Sequence, residues 1–284
     1  MILQILKGGL GNQMFQYAFG RYVSHLLQTD LFLERGIHLN GSSNRLYDLD
    51  IFNIQKDVHV GTLGDLKKTA YSVFKIISEK QFSYDEQMIL ELKSLKSELM
   101  DNNFLLVFDG YWQSYKYFST IAEVIRESFC VDLDFNGNFQ TLLSLIRSTN
   151  SVMINVRRGD YLDKLDYHGV VDENYLYESM ALIEKRICEP HFFVFSDDIF
   201  WCRMKIKADK NVVFVDESYY DHKFQSYFKL MSNCRHFIIS NSTFCWWAAW
   251  LADAPEKTVI APEKWFATDT LNAEDLIPKE WISI

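Results

Sequence analysis

Short β-branched and aromatic runs alternate with segments of helical character through the second half of the chain, and this alternation constrains the fold more than any other feature. The runs are VMINV from Val152, HFFVFS from His191, NVVFVD from Asn211, HFIIS from His236 and TVIAP from Thr258; the helical segments include Tyr175 to Ile187 and Lys223 to Ser232. Strands separated by helices imply a parallel sheet with helices on its faces, and ligands of such sheets bind at the carboxyl ends of the strands.

The first half opens in the same way. MILQIL is a strand, the glycines Gly8, Gly9 and Gly11 form its exit loop, and a helix from Asn12 to Leu27 puts Phe15, Phe19, Tyr22, Val23 and Leu26 on one face. DLFLE from Asp30 is a second strand. The segment from about Gly61 to Met100 reads as lysine- and glutamate-dotted amphipathic helix, and its KKTAYSVFK stretch as an ordinary surface helix in preference to a membrane-surface one. The domain boundary is placed near Asn150, where STNS precedes the strand at Val152. The expected fold class is α/β, with a first unit over 1–150 carrying a helical insertion and a second over 151–284.

Composition excludes several functions. A formal charge of −9 argues against broad binding to nucleic acid, whose phosphates are held mainly by Lys and Arg. The 5 cysteines, Cys130, Cys188, Cys202, Cys234 and Cys245, form no C-x-x-C pair and read as buried free thiols in a reducing compartment. The start MILQILKGGLGNQ lacks the charged region and cleavage site of a signal peptide. The longest apolar run, FCWWAAWLA from Phe244, is far short of the roughly 20 residues of a membrane span. A cytoplasmic protein is expected.

Four groups of residues carry candidate chemistry. In the glycine loop, Met14 stands where a dinucleotide fingerprint needs its third glycine, and no G-K-[ST] follows to make a P-loop. The amides of Asn12, Gln13 and Gln16 instead suit sugar hydroxyls or phosphate oxygens. Arg157 and Arg158 close an apolar strand before Gly159 and Asp160, where a guanidinium fork donates paired hydrogen bonds to phosphate or ties a loop to an acid. Asn241, Ser242 and Thr243 begin an apolar helix, a position that serves either as a cap or as an anion site. Ser196, Asp197 and Asp198 end a further strand; with no other oxygen ligands to complete a metal site, they read as acceptors for a ribose or guanine edge. Trp246, Trp247 and Trp250 read as core. Gathered at strand ends, these groups suggest a nucleotide-sugar site.

The stretches GGLGNQMFQYAFG, GYWQSYKYF from Gly110, VRRGDYL from Val156, HGVV from His168, FSDDIFWCR from Phe195, NSTFCWWAAWL from Asn241 and APEKWF from Ala261 resemble, in order, the signatures of the α-1,2-fucosyltransferase family. The resemblance implies two Rossmann-like domains facing a cleft (GT-B type) and an inverting transferase without a metal or other cofactor. GDP-β-L-fucose is the implied co-substrate and the 2-hydroxyl of a terminal galactoside the acceptor. The amino-terminal unit would meet the acceptor through Gly9, Gly11, Asn12 and Gln13, and the carboxyl-terminal unit would bind the nucleotide. Arg157 would meet the departing diphosphate, Arg158 would support it or hold Asp160, the Ser242-Thr243 helix start would hold further phosphate oxygens, and Phe244 would line the substrate site. Asp160 and His168 both remain open as general base. A lipid-linked acceptor would bring transient contact with the inner face of a membrane. Two positions depart from the family pattern: Asn155 replaces the histidine of H-x-R-R-x-D, and Tyr227 replaces an aspartate. Those departures motivate a rival reading, a non-catalytic carbohydrate-binding protein; Gly9-x-Gly11 after a strand motivates another, a nicotinamide-dependent oxidoreductase.

Overall fold

The computed structural model describes residues 1–35, 46–54, 58–66, 73–80, 82–96, 104–131, 137–167, 169–207, 211–219, 223–268, 271 and 273–284. The chain divides into two compact units, Met1–Val131 with Asn272–Leu276, and Asp132–Leu271 with Ile277–Ile284.

The first unit contains β1 (Ile2–Ile5), α1 (Leu10–Leu27), β2 (Leu31–Glu34), β3 (His59–Gly61), α2 (Leu63–Leu66), β4 (Val73–Ser78), α3 (Glu86–Ser94), β5 (Phe104–Asp109) and α4 (Ala122–Ser128). Its strands form one parallel sheet in the order β3-β2-β1-β5-β4, with Ile2 in register with Leu31 on one side and Leu106 on the other. As the central strand, β1 is buried along its length, and Gln4 within it donates to the Ile5 carbonyl at 2.8 Å. Helix α1 lies close on this sheet because Gly20 faces Leu31; a Cβ there would sit 2.9 Å from Leu31 Cδ1. Burial on α1 extends well beyond a single stripe, from Met14, Phe15, Tyr17 and Ala18 to Phe19 and Val23, while Tyr22 and Leu26 are only half-buried. Phe19 stacks on Trp112 at 4.1 Å between centroids and meets Phe108 and Tyr117 edge-on. Truncating a buried aromatic of this kind to alanine typically costs about 3–5 kcal/mol.

The segment expected as helix between Gly61 and Met100 is different where it is described. It holds the short α2, the strand β4 and α3. The run VFKIIS is β-branched and aromatic, but β4 is an edge strand with Lys75 and Ile76 exposed, so its pattern resembles a half-solvated helix. The end of KKTAYSVFK thus lies in a strand rather than a surface helix; the rest of that stretch falls outside the described residues.

The second unit contains α5 (Gly137–Ser148), β6 (Asn150–Val156), α6 (Glu173–Arg186), β7 (Pro190–Ser196), α7 (Ile199–Lys205), β8 (Val212–Val215), α8 (Gln225–Ser232), β9 (His236–Ile238), α9 (Thr243–Leu251), β10 (Val259–Ala261) and β11 (Ile282–Ser283). Its six-stranded sheet runs β11-β10-β9-β6-β7-β8 and is parallel, as the sequence alternation implies; β11 is a sixth strand beyond the five runs read from the sequence. Val152, Ile154 and Val156 of β6 pack with Leu176, Ile183, Phe192 and Val194 in one core. Helix α9 is apolar all round and buried, with Trp246 and Trp247 fully enclosed.

The units meet in sequence at Val131 and Asp132 rather than at Asn150, because α5 packs against β6 and α8 of the second sheet. The first unit also takes back a late segment: Asp275 accepts from the Tyr84 N–H at 2.7 Å and pairs with Lys116. All five cysteines are free, but only Cys202, Cys234 and Cys245 are buried; Cys130 and Cys188 are exposed in connections that follow helices.

Candidate functional site

In the second unit, the ends of β6, β7 and β9 bring the predicted residues to one edge of the sheet. Arg157 leaves β6 with its side chain 30% exposed. Its Nη2 donates to Asp160 Oδ1 at 2.5 Å and its Nη1 lies 3.0 Å from Asp197 Oδ2. Burial opposes charge on this guanidinium, yet Asp197 and Asp160 together hold its pKa above the ordinary arginine value. Arg158 packs its guanidinium over Trp201 at 4.2 Å and places Nε 3.4 Å from Asp198 Oδ2. Its main-chain N–H donates to Asp197 Oδ1 at 2.9 Å. A Cβ on Gly159 would lie 2.6 Å from Asp197 Oδ2, so glycine is required for this close approach.

The carboxylates therefore have internal roles. Asp197 braces the turn after β6, and Asp198 caps α7 by accepting from the Trp201 N–H at 3.0 Å. Ser196 Oγ accepts from the Asp198 N–H at 2.9 Å. Pairs as exposed as Arg157 with Asp160 are worth little net free energy, roughly 0–1 kcal/mol, so Asp160 ties the guanidinium only weakly.

The family departures sit just beneath this edge. Asn155 is buried, accepts from Ser240 Oγ at 2.7 Å and donates to the Phe195 carbonyl at 3.4 Å, joining β6 to its neighbours. Tyr227 is also buried; its hydroxyl accepts from the Ser196 N–H at 2.8 Å and donates to the Val215 carbonyl at 3.2 Å, closing the gap between the ends of β7 and β8.

Helix α9 starts beside these strands. Ser242 is its N-cap in extended conformation, but its side chain makes no capping bond, so the first-turn N–H groups do not depend on it. Asn241 donates to the Trp265 carbonyl at 3.2 Å, and Tyr161 donates to the Asn241 carbonyl at 3.2 Å. Phe244 packs on Phe228 at 5.3 Å. Thr243 is half-buried in the first turn. His168 lies outside the described residues.

At the carboxyl edge of the first sheet, Gly8 is the loop glycine whose conformation demands glycine, with φ 77°. Gly9 is the N-cap of α1 at φ −78°, and Gly11 is buried within the helix. All three predicted amides are engaged by the chain itself. Gln13 donates to the Gly8 and Leu46 carbonyls at 3.0 and 2.8 Å and accepts from the Asp48 N–H at 3.0 Å. Gln16 exchanges hydrogen bonds with the main chain of Lys7 at 3.0 and 3.1 Å. Asn12, half-buried, accepts from Gln113 Nε2 at 2.8 Å.

Sequence reasoning missed the rest of this edge. Lys7 pairs with Asp109 at 2.7 Å. The Glu79 carboxylate accepts from the Tyr111 and Trp112 N–H groups at 2.6 and 2.9 Å. Burial pushes Glu79 up to about 7, against those backbone bonds and the nearby Lys7 charge. The signal for Trp112 and Gln113 lay in the GYWQS stretch; Glu79 has no local motif. Among the described residues, no group of three His, Cys, Asp or Glu is placed to hold a metal ion. No helix among them is long and apolar enough to cross a membrane.

The sequence matches the family described as glycosyl transferase family 11 over residues 3–284. The chain belongs to glycosyl transferase family 11. Similar proteins include the α-1,2-colitosyltransferase of Escherichia coli, 33% identical over 100% of this chain and 99% of the relative. The O-antigen biosynthesis glycosyltransferase WbnK of Escherichia coli is 29% identical over 98% of this chain and 99% of its own. The galactoside α-(1,2)-fucosyltransferase 1 of Leontocebus fuscicollis is 33% identical, over 52% of this chain and 43% of that protein. In fold, the protein is similar to crystal structures of POFUT1 in complex with GDP-fucose (TM-score 0.53, 12% identity, 91% and 97% of the two chains) and of NodZ from Bradyrhizobium (0.51, 12%, 91% and 94%). The α-1,2-fucosyltransferase resemblance and the two Rossmann-like α/β units are thereby borne out. Membership of a glycosyl transferase family removes the oxidoreductase reading.

Proposed function

We propose that this family 11 glycosyltransferase moves L-fucose from GDP-β-L-fucose to the 2-hydroxyl of a terminal galactoside, with inversion and without a metal ion. The observation that carries the proposal is the placement of Arg157 and Arg158 at the end of β6, in the sheet whose next strand leads into α9. Cleavage of the sugar-phosphate bond leaves growing negative charge on the diphosphate. A guanidinium that meets this charge stabilises the transition state more than the ground state and so lowers the barrier. Arg157 exchanges Asp160 and Asp197 for phosphate oxygens, Arg158 stays braced on Trp201, and the first turn of α9 supplies N–H donors. The exchange releases the carboxylate of Asp160, which then serves as a base for the acceptor hydroxyl; His168 is the other candidate. Asn12 orients the fucose or the accepting hydroxyl, and Ser196, Asp197 and Asp198 hold the shape of the nucleoside side of the site.

Asn155 and Tyr227 are consistent with a working enzyme, because both are satisfied within the sheet and their neighbours are left in place. A second reading concerns the donor. The relative similar over 100% of the chain is named for colitose, which is fucose lacking its 3-hydroxyl. The test is an assay of GDP-fucose and GDP-colitose against a panel of β-galactosides and lipid-linked galactosides, with the product linkage read by NMR. An α-1,2-fucoside formed undiminished in EDTA supports the proposal. Transfer of colitose alone favours the second reading, and sugar binding with neither donor consumed favours a non-catalytic binding protein. The expected location is the cytoplasm, with membrane contact only through a lipid-linked acceptor.

A further inference from the structure

A cavity of about 300 Å³ opens in the first unit where β4 and β5 end, lined by Glu79, Lys80, Ser83, Tyr84, Asp85 and Trp112 among others. Its inner wall is built at unusual local cost. Trp112 has φ 55°, a left-handed conformation that bulky residues rarely adopt, and it is 1% exposed, stacked on Phe19. Its indole Nε1–H finds no acceptor among the described residues. A buried unsatisfied donor and a strained backbone each cost stability, and here both fall on one residue.

The turn that imposes this conformation is specific. The Glu79 carboxylate accepts from the Tyr111 and Trp112 N–H groups, and the Trp112 carbonyl accepts from the Ser114 N–H at 2.8 Å. A Cβ on Gly110 would lie 2.5 Å from Glu79 Cβ and 2.7 Å from Trp112 Cε2, the ring carbon that carries Nε1. Gly110 thus allows a buried carboxylate and the nitrogen-bearing edge of the indole to share one wall.

The lining selects a ligand class. Glu79, Asp85 and Glu86 outnumber Lys80, so an anion is disfavoured. The indole N–H and the Ser83 hydroxyl offer donors and the carboxylates offer acceptors, which matches a neutral molecule dense in hydroxyl groups. The volume is at the small end for ligand sites, enough for a single sugar unit rather than an oligosaccharide. We propose that this cavity binds one pyranose unit of the acceptor glycan, with Trp112 Nε1 donating to one hydroxyl and Glu79 accepting from another. That this sugar belongs to the acceptor rests on the proposed function; the sugar site itself rests on the cavity.

The test follows the tryptophan indole N–H resonances of ¹⁵N-labelled protein, the Trp112 signal being the one absent from the Trp112→Phe variant. Titration with methyl β-D-galactoside and with lactose is expected to shift that signal in a saturable way. A bulky Ser83→Leu substitution in the lining should weaken the response at least tenfold, and should raise the acceptor KM more than it lowers kcat. Trp112→Phe, which keeps the ring against Phe19, should raise the same KM about tenfold with its thermal midpoint near that of the wild type. A Trp112 signal unmoved by both sugars, or unchanged acceptor KM in two folded variants, overturns the proposal. If neither donor is consumed with any acceptor, the proposed function fails, but the indole titration still decides whether the cavity binds sugar. Should Trp112→Phe not fold, Ser83→Leu decides the matter by the size of the shift elsewhere in the lining.

Discussion

The Asp197 carboxylate lies over Gly159, close enough that a Cβ on Gly159 would approach Oδ2 to 2.6 Å. From there it receives both the Arg158 N–H and the Arg157 guanidinium, so one acid sets the path of the turn that presents the two arginines.

Replacing Gly159 with alanine therefore displaces Asp197 and shifts that turn. The expected outcome is a fall in kcat/KM of about tenfold to a hundredfold, since displacements near 1 Å at a reacting centre have effects of this size. Steady-state assay together with a thermal melt checks it; full activity with an unchanged midpoint contradicts the bracing role.

Tyr227→Phe removes the hydroxyl that joins the ends of β7 and β8, leaving the Ser196 N–H buried without its acceptor. Stability should drop by about 1–3 kcal/mol in urea unfolding. The donor KM should move less than threefold. A large change in donor KM at normal stability would instead make Tyr227 a nucleotide contact.

Glu79 is a test of electrostatics. Its pKa rises on folding from an ordinary 4.5 to about 7, chiefly through burial, so the folded state binds this proton more tightly than the unfolded chain. The contribution to stability is full below about 4.5, declines as pH rises through the window to about 7, and is flat above it, a change on the order of 3 kcal/mol. Glu79→Gln should flatten the pH dependence of unfolding in that window. A variant whose stability falls as steeply as the wild type between those limits would show that Glu79 does not titrate there.

Legibility from sequence follows burial. Central strands such as β6 and β7 carry compact apolar runs, VMI and FFVF, because both faces are covered, and they were readable. The edge strand β4 has Lys75 and Ile76 in solvent and reads as helix. The residues gathered at the ends of β6, β7 and β9 were legible by type and position, but their internal allegiances were not. An amide such as Gln16 looks the same whether it binds a sugar or the Lys7 main chain, and Asp198 looks the same as ligand or helix cap. Glu79 had no signal at all, since its partners lie 32 and 33 residues away in the chain.

The central claim is that Arg157 carries the departing diphosphate, and single-turnover measurement of GDP release from GDP-fucose by Arg157→Ala, with a saturating galactoside, tests it most directly. The account predicts a chemical step slowed about 10²–10³-fold in a protein whose circular dichroism matches the wild type. A folded variant that releases GDP at near the wild-type rate would contradict it.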